Sequence, residues 1–374
     1  MRVMGVASFT HNGGAQVALQ RLARNLRQRG HEVEVIFLYG RADEAEPDIG
    51  ARVLVETQAP GWLDYIRCFF RLVSAVRAYK PDAILGFLPL AAVLSALAGA
   101  ACGVKVRIAS QRTPGPTFSA VMQFCDRLAG TFGFYTKIVC VSQSVADSFW
   151  NYSHAYRRKL RVVNNGVEWE PLTDERGAAR RAFGVEDDAV LFIAVGRLEA
   201  QKNYGFLIER FCAVGRGKLL IAGAGRGEPE LRALIRAHGA SNQVLLLGHL
   251  DRAQVRQLLA AADVFVQASF YEGQSNALLE AMHAGLPCLV SNISMQRETL
   301  TDEAGRVCGS LAGLHDQAAW EIQISQLAQD ATLRARLGEA GKTLVNRQFT
   351  LTRMVDNFER EICDHPIADQ AAAR

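Results

Sequence analysis

The sequence of 374 residues has eight cysteines but no C-x-x-C pair among them. Most of the cysteines lie in apolar runs, which excludes a zinc ribbon or a disulfide framework and reads as buried thiols in a reducing, cytoplasmic compartment. No aromatic-plus-basic motif of a nucleic-acid module is present, so nucleic acid is not an expected partner. The opening Met1–Phe9 is too short in its apolar run for a signal peptide. G-x-G-x-x-G does not follow the first expected strand, which argues against a dinucleotide-binding dehydrogenase. One stretch, Ala83–Val104, carries no charge over 22 residues, long enough to cross a bilayer. Pro89 interrupts it, however, and it divides into a β run, Ala83–Phe87, and an Ala-rich helix from about Ala91. A buried strand–helix pair is the expectation.

Hydrophobic residues at 49% and charged residues at 21% are ordinary for a soluble globular protein, and the length suits two domains, each with its own core. The net charge of +4 is uneven, +7 over residues 1–170 and −3 over the remainder. A basic first half suits an acidic acceptor or the peripheral face of an anionic membrane, unless these charges are simply solvated helix faces.

Strand and helix patterns alternate twice along the chain. The first series runs from the strand Arg2–Phe9 to Leu160–Val163, and the polar stretch to about Asp188 reads as a connection. The second starts with the strand Ala189–Val195, and helices fill the chain from Gln317. Such alternation predicts an α/β protein of two Rossmann-like, doubly wound domains, residues 1–167 and 168–349, each binding ligand at the carboxyl ends of its strands.

The chain is organised around Ser269–Asn292, which reads as strand end, polar loop, helix, Gly-Pro stop and next strand. If Gln274 or Ser275 opens the helix, Glu272 lies in the loop and Glu280 in the second turn, on the order of 10 Å apart. That is about the span from the ribose to the sugar of a nucleotide-diphosphate sugar. The unpaired N–H groups at the helix start suit a diphosphate, and Ser275 and Asn276 are fitted to cap it. Upstream, Gly196-Arg-Leu-Glu-Ala-Gln-Lys-Asn203 follows a strand and puts two cations, Arg197 and Lys202, at the mouth of the sheet. A planar guanidinium and a compact ammonium are what a diphosphate leaving group needs, although exposed loops also favour these residues.

Together these segments resemble the E-x7-E signature (Glu272-Gly273 to Glu280-Ala-Met-His-Ala-Gly-Leu-Pro287) and the G-R-L-x-x-x-K motif of family-4 glycosyltransferases. The specific motifs lie between about residues 190 and 300, and the first half matches in layout only. The resemblance implies the GT-B fold, with the two domains facing each other across a cleft, the acceptor on the first and the nucleotide sugar on the second. The final helical stretch, about 350–374, would return to the first domain. It implies a retaining enzyme that moves a sugar from a UDP- or GDP-sugar to a glycan or lipid-linked acceptor, in bacterial surface polysaccharide or glycan assembly. The nucleotide sugar is a co-substrate, and no cofactor or metal is expected. Nor is there a D-x-D triplet, the metal–diphosphate clamp of the other large glycosyltransferase fold.

By the same resemblance Arg197, Lys202 and Glu272 are the catalytic residues. The donor site takes in Gly13, Gly14, Gly196, Gly223, Gly225, Gly273, Gln274, Ser275, Asn276 and Glu280, with Glu280 gripping the ribose. Gly13-Gly14 permits close backbone approach after the first strand. Gly223-Ala-Gly225-Arg-Gly227 is either a loop near the nucleobase or a tight turn. Where many members of the family carry a histidine, this chain has Gln111 and Arg112. Arg112 and His11 are therefore the acceptor-side candidates. The alternatives are a GT-B epimerase or hydrolase acting on the donor alone, and a nucleotide-sugar-binding protein without catalysis.

Overall fold

A strand that is apolar at consecutive positions must be covered on both faces, and the runs Val3–Ala7, Val35–Tyr39 and Ala83–Phe87 are of that kind. The computed structural model describes residues 1–10, 13–40, 50–57, 60–168 and 176–364. Those runs form the centre of the first of two α/β units, which comprises Met1–Gly166 and Leu351–Arg374. The second unit is Val167–Thr350.

In the first unit the strands are β1 (Arg2–Phe9), β2 (Glu32–Gly40), β3 (Arg52–Glu56), β4 (Ala83–Phe87), β5 (Val106–Gln111), β6 (Lys137–Cys140) and β7 (Leu160–Val162). They pair in the order β3-β2-β1-β4-β5-β6-β7, each pair parallel. Parallel pairing requires crossovers, and helices supply them on both faces. Helices Gly14–Gln28 and Leu351–Cys363 cover one face, with Leu19, Leu22 and Phe358 in one core with Val3, Phe37 and Leu85. Helices Trp62–Tyr79, Pro89–Ala101 and Ala120–Thr131 cover the other. The uncharged stretch is thus the strand β4 and a helix, with Pro89 at the first helical position, where no N–H is needed. Among the described residues no helix is long and apolar enough to cross a membrane.

The last helix is tied into this first unit. Arg29 pairs with Asp356 at 2.6 Å and Glu359 at 2.5 Å, Lys137 with Glu361 at 3.2 Å, and the Phe87 and Phe358 rings stack at 6.0 Å.

The second unit contains β8 (Leu191–Val195), β9 (Lys218–Ala222), β10 (Val244–Gly248), β11 (Val264–Gln267), β12 (Cys288–Ser291) and β13 (Ser310–Ala312). Their order is β10-β9-β8-β11-β12-β13, again parallel throughout. The polar stretch read as a connection is in part a helix, Arg176–Ala182, built into this unit. Its Arg180 is buried, pairs with Asp263 at 3.1 Å and donates to the Glu186 carbonyl at 2.6 Å. The fixing partner lies 83 positions away, beyond the reach of local pattern. The short elements β3, β13, Gln143–Asp147, His154–Arg157 and Ser294–Leu300 are likewise additions to the sequence reading, too brief to show a period.

Beneath helix Ala120–Thr131, the buried Asp126 accepts hydrogen bonds from Gln111 Nε2 (2.7 Å), Tyr135 OH (3.0 Å) and Tyr156 OH (2.8 Å). Burial pushes its pKa up from 3.8 to about 6, against the pull of those donors. The folded state therefore holds this proton more tightly than the unfolded chain. Asp126 stabilises the fold most below 3.8, and that contribution is lost as pH rises through about 6. Asp126→Asn removes the slope. Between about pH 4 and about pH 7.5 the variant should gain roughly 2 kcal/mol on the parent in denaturant-unfolding free energy. Parallel profiles would mean that Asp126 ionises alike in both states.

Candidate active site

In the second sheet β8 lies between β9 and β11, so chain leaving β8 and chain leaving β11 diverge at a topological switch point. In open α/β sheets ligands bind at such a point, outside the carboxyl ends of the strands. The two loops at this point are 196–203 and 268–275. They are strapped together by backbone and side chain: Phe270 N–H donates to the Gln201 carbonyl (2.9 Å), and Gln201 Nε2 to the Tyr271 carbonyl (2.8 Å).

Between the straps, Lys202 Nζ donates to Glu272 Oε1 at 2.6 Å, and Gln267 Nε2 donates to the same oxygen at 2.6 Å. Gln267 is held in turn by Ser275 Oγ, which donates to its Oε1 at 3.0 Å. Ser275 also accepts from Leu278 N–H at 3.3 Å and so caps helix Asn276–His283. Asn276 is the first helical residue rather than a second cap. One chain of bonds therefore runs from the cation loop through Glu272 to a helix N-terminus. The Lys202 and Glu272 side chains are only 14% and 8% exposed. Two donors converge on Oε1, while Oε2 takes no hydrogen bond among the described residues. The carboxylate is oriented, with one oxygen left for a ligand.

Glu272 lies in the loop with Gly273 and Gln274, and Glu280 is half-buried in the second helical turn. Arg197 is exposed beside Gly196 and has no side-chain partner among the described residues. The structure joins Lys202 to Glu272; neither Arg197 nor Glu280 bonds to that pair. Tyr204 OH donates to the Gly196 carbonyl at 3.2 Å, and burial, with the Glu272 charge adding to it, pushes that phenol well above its ordinary pKa.

The glycine loop 223–227 braces the cation loop. Leu198 N–H donates to the Ala224 carbonyl (3.0 Å) and Gly227 N–H to the Leu198 carbonyl (2.9 Å). A Cβ on Gly223 would stand 1.9 Å from the Gly196 oxygen, and one on Gly225 2.5 Å from the Leu198 oxygen. Close backbone approach is thus a sufficient reason for both glycines.

In the first unit, Gly13 is the N-cap residue of helix Gly14–Gln28, and His11 lies outside the described residues. Gln111 turns into the core, against Asp126. Arg112 is buried as well: it donates to Asn165 Oδ1, lies 5.5 Å above the Phe87 ring, and leaves Nη1 without a partner among the described residues. Burial pushes its pKa down to about 10. The sequence offers Arg112 as an acceptor-side contact or the partner of a carboxylate; the partners found are an amide oxygen and a ring. The residue that sequence reasoning missed is Gln267. Its signal is a polar side chain ending the otherwise apolar strand Val264-Phe-Val, five positions before Glu272.

Residues 175–344 match the family described as "Glycosyl transferases group 1", and residues 12–170 match "Glycosyltransferase Family 4". The lipopolysaccharide core biosynthesis glycosyltransferase LpsE of Rhizobium meliloti is 25% identical, over 96% of this chain and 98% of its own. The N-acetyl-alpha-D-glucosaminyl L-malate synthase of Bacillus anthracis is 24% identical, over 95% of both chains. Among solved structures, Anabaena HepE in complex with UDP and glucose superposes with a TM-score of 0.83 at 19% identity, over 96% of this chain and 98% of that one. WaaG, a glycosyltransferase involved in lipopolysaccharide biosynthesis, gives 0.76 at 16% identity, over 97% and 100%. Two parallel-sheet α/β units with these neighbours define the GT-B fold. The chain belongs to the family-4 glycosyltransferases and is a glycosyl-transferring enzyme.

Proposed function

We propose that this enzyme moves a sugar, with retention of anomeric configuration, from a UDP- or GDP-sugar to a glycan or lipid-linked acceptor in bacterial surface polysaccharide or glycan assembly. The observation that carries the reading is the Lys202–Glu272 pair, 2.6 Å apart at the switch point and oriented by Gln267. The second unit takes the donor. Glu272 Oε2 accepts from the donor sugar's hydroxyls, Glu280 grips the ribose, and Gly223 and Gly225 let the chain lie close to the base. Gly273, Gln274, Ser275 and Asn276 present the helix start to the diphosphate. Lys202 and Arg197 stabilise the charge that grows on the diphosphate as its bond to the anomeric carbon breaks. The acceptor hydroxyl then attacks from the same face, and its proton passes to the departing phosphate oxygen.

Two cations and a helix N-terminus make this a reaction without metal or cofactor. The acceptor falls to the first unit, where Gly13-Gly14, His11 and Arg112 are the candidate contacts. A lipid-linked acceptor would hold the enzyme at the inner face of the cytoplasmic membrane as a peripheral protein. In support of a uridine donor, one relative 26% identical over 60% of this chain is an Escherichia coli UDP-Gal:alpha-D-GlcNAc-diphosphoundecaprenol alpha-1,3-galactosyltransferase.

The test is nucleoside-diphosphate release from a panel of UDP- and GDP-sugars in EDTA, with and without a mixture of bacterial glycan and lipid-linked acceptors. Release that needs acceptor, with an anomeric proton of unchanged configuration in the product, is the expected result. Release without acceptor would favour a hydrolase or epimerase, and none from any donor a binding protein.

A further inference from the structure

We infer that the first unit docks on an anionic lipid bilayer through the outward faces of helices Trp62–Tyr79 and Ala120–Thr131. On the first helix Trp62, Ile66 and Phe70 recur every four residues; on the second Val121, Phe124 and Leu128 are spaced by three and four. Each set makes a single stripe along its helix. These stripes are not the core-facing ones, which are carried by Cys68, Leu72 and Val76 on the first helix and by Asp126 and Ala129 on the second. Trp62, Phe70, Val121 and Phe124 stay 71, 66, 72 and 62% exposed, where a surface helix ordinarily turns polar. Each helix therefore carries, besides the face that packs on the fold, an apolar stripe that the fold does not use.

The two stripes belong to one surface. Both helices pack against Pro89–Ala101, on the same face of the sheet, and Leu90, Leu94 and Leu97 of that central helix are half-buried. Because crossover helices run back against parallel strands, Trp62 and Val121 stand at the carboxyl end of the sheet. Trp150, 73% exposed, lies in the connection between β6 and β7. The apolar rim thus lies where the first unit's ligand-binding loops emerge.

Charge identifies the occupant. Arg67 and Arg77 are exposed on the first helix, beside Arg71, which donates to the Leu54 carbonyl, and Arg127 on the second lies 4.5 Å over the Tyr152 ring. The acids of the two helices are Asp64, 3.7 Å from Arg67, and the buried Asp126. Aromatic side chains interleaved with guanidinium groups suit the headgroup zone, where rings reach the acyl boundary and cations meet anionic phosphates. A second copy of the chain is the poorer fit, because a two-fold interface would set these arginines against themselves with almost no carboxylates to pair.

This deepens the proposed peripheral location and rests on that reading only for the source of the acceptor. The experiment is flotation of the full chain with vesicles of phosphatidylcholine, with or without about one-third phosphatidylglycerol. Binding to the anionic vesicles and not to the neutral ones is expected. The triple variant Trp62→Gln, Phe70→Gln, Phe124→Gln should lose at least about tenfold in partitioning, with its melting temperature and its activity on a water-soluble acceptor unchanged. Arg67→Glu with Arg77→Glu should abolish the preference for anionic lipid. No flotation of the parent chain, or flotation that the triple variant leaves intact, would overturn the inference. So would a solution dimer that these substitutions disperse without any vesicle binding. Transfer to a soluble acceptor that persists while flotation fails would sink the docking and leave the transferase reading standing.

Discussion

Lys202→Ala is expected to lower kcat by about 10²–10³-fold, the effect of removing one preorganised group from a developing anion, and to raise KM much less. Lys202 is nearly enclosed, 2.6 Å from Glu272, so its charge acts at low effective dielectric and is in place before the reaction begins. The substitution also strips a largely buried carboxylate of its counter-ion, with an expected cost of about 2–3 kcal/mol in stability. Kinetics should therefore be taken well below the variant's melting temperature. Lys202→Met paired with Glu272→Gln separates the two effects, since the pair is then neutral: stability should return while kcat stays low. A loss confined to KM would show that Lys202 binds ground state and transition state alike. In that case its part is to hold the donor, and the departing diphosphate is met by Arg197 and the helix start instead.

Gly223→Ala should cost about 3 kcal/mol or more in unfolding free energy. At φ +151° an L side chain is strained before any contact is counted. Its Cβ would also stand 1.9 Å from the Gly196 carbonyl oxygen, a backbone atom that cannot rotate away. Relief can come only by pushing 223–227 off 196–198, which would break the Leu198–Ala224 bond and move the loop that carries Arg197 and Lys202. Donor affinity should fall along with stability. Gly239→Ala is a useful control, because that glycine also has a positive φ, +63°, but its Cβ would meet nothing within 4 Å. Should Gly223→Ala behave like the control, the two loops are not the rigid brace described above.

Most strands of both sheets could be read from the chain because they carry apolar runs, as in Val35–Tyr39, Ala83–Phe87 and Leu191–Val195, a strong local signal. The site was less evenly accessible. Glu272, Lys202 and Ser275 stood out by residue type next to a helix start, whereas Gln267 did not, since its part depends on the loop folding Ser269, Glu272 and Ser275 back onto it. The surroundings of Arg112 were equally hidden: nothing in its place after a strand announces that Phe87 and Asn165 close over it. Arg180 and helix Arg176–Ala182 were hidden for a similar reason, as polar sequence is indistinguishable from a connection until Asp263 arrives.

Helix Leu351–Cys363 carries a consequence for biosynthesis. Met354, Val355, Phe358 and Ile362 belong to the same core as Val3 and Leu22, so residues 1–166 finish their packing only with a helix made after the whole of 167–350. On the ribosome, residues 1–166 emerge as a sheet with one face still partly uncovered, while the whole of 167–350 has yet to be synthesised and folded. A nascent chain stalled before Leu351 would offer that uncovered face to chaperones, and emergence of helix Leu351–Cys363 would close it.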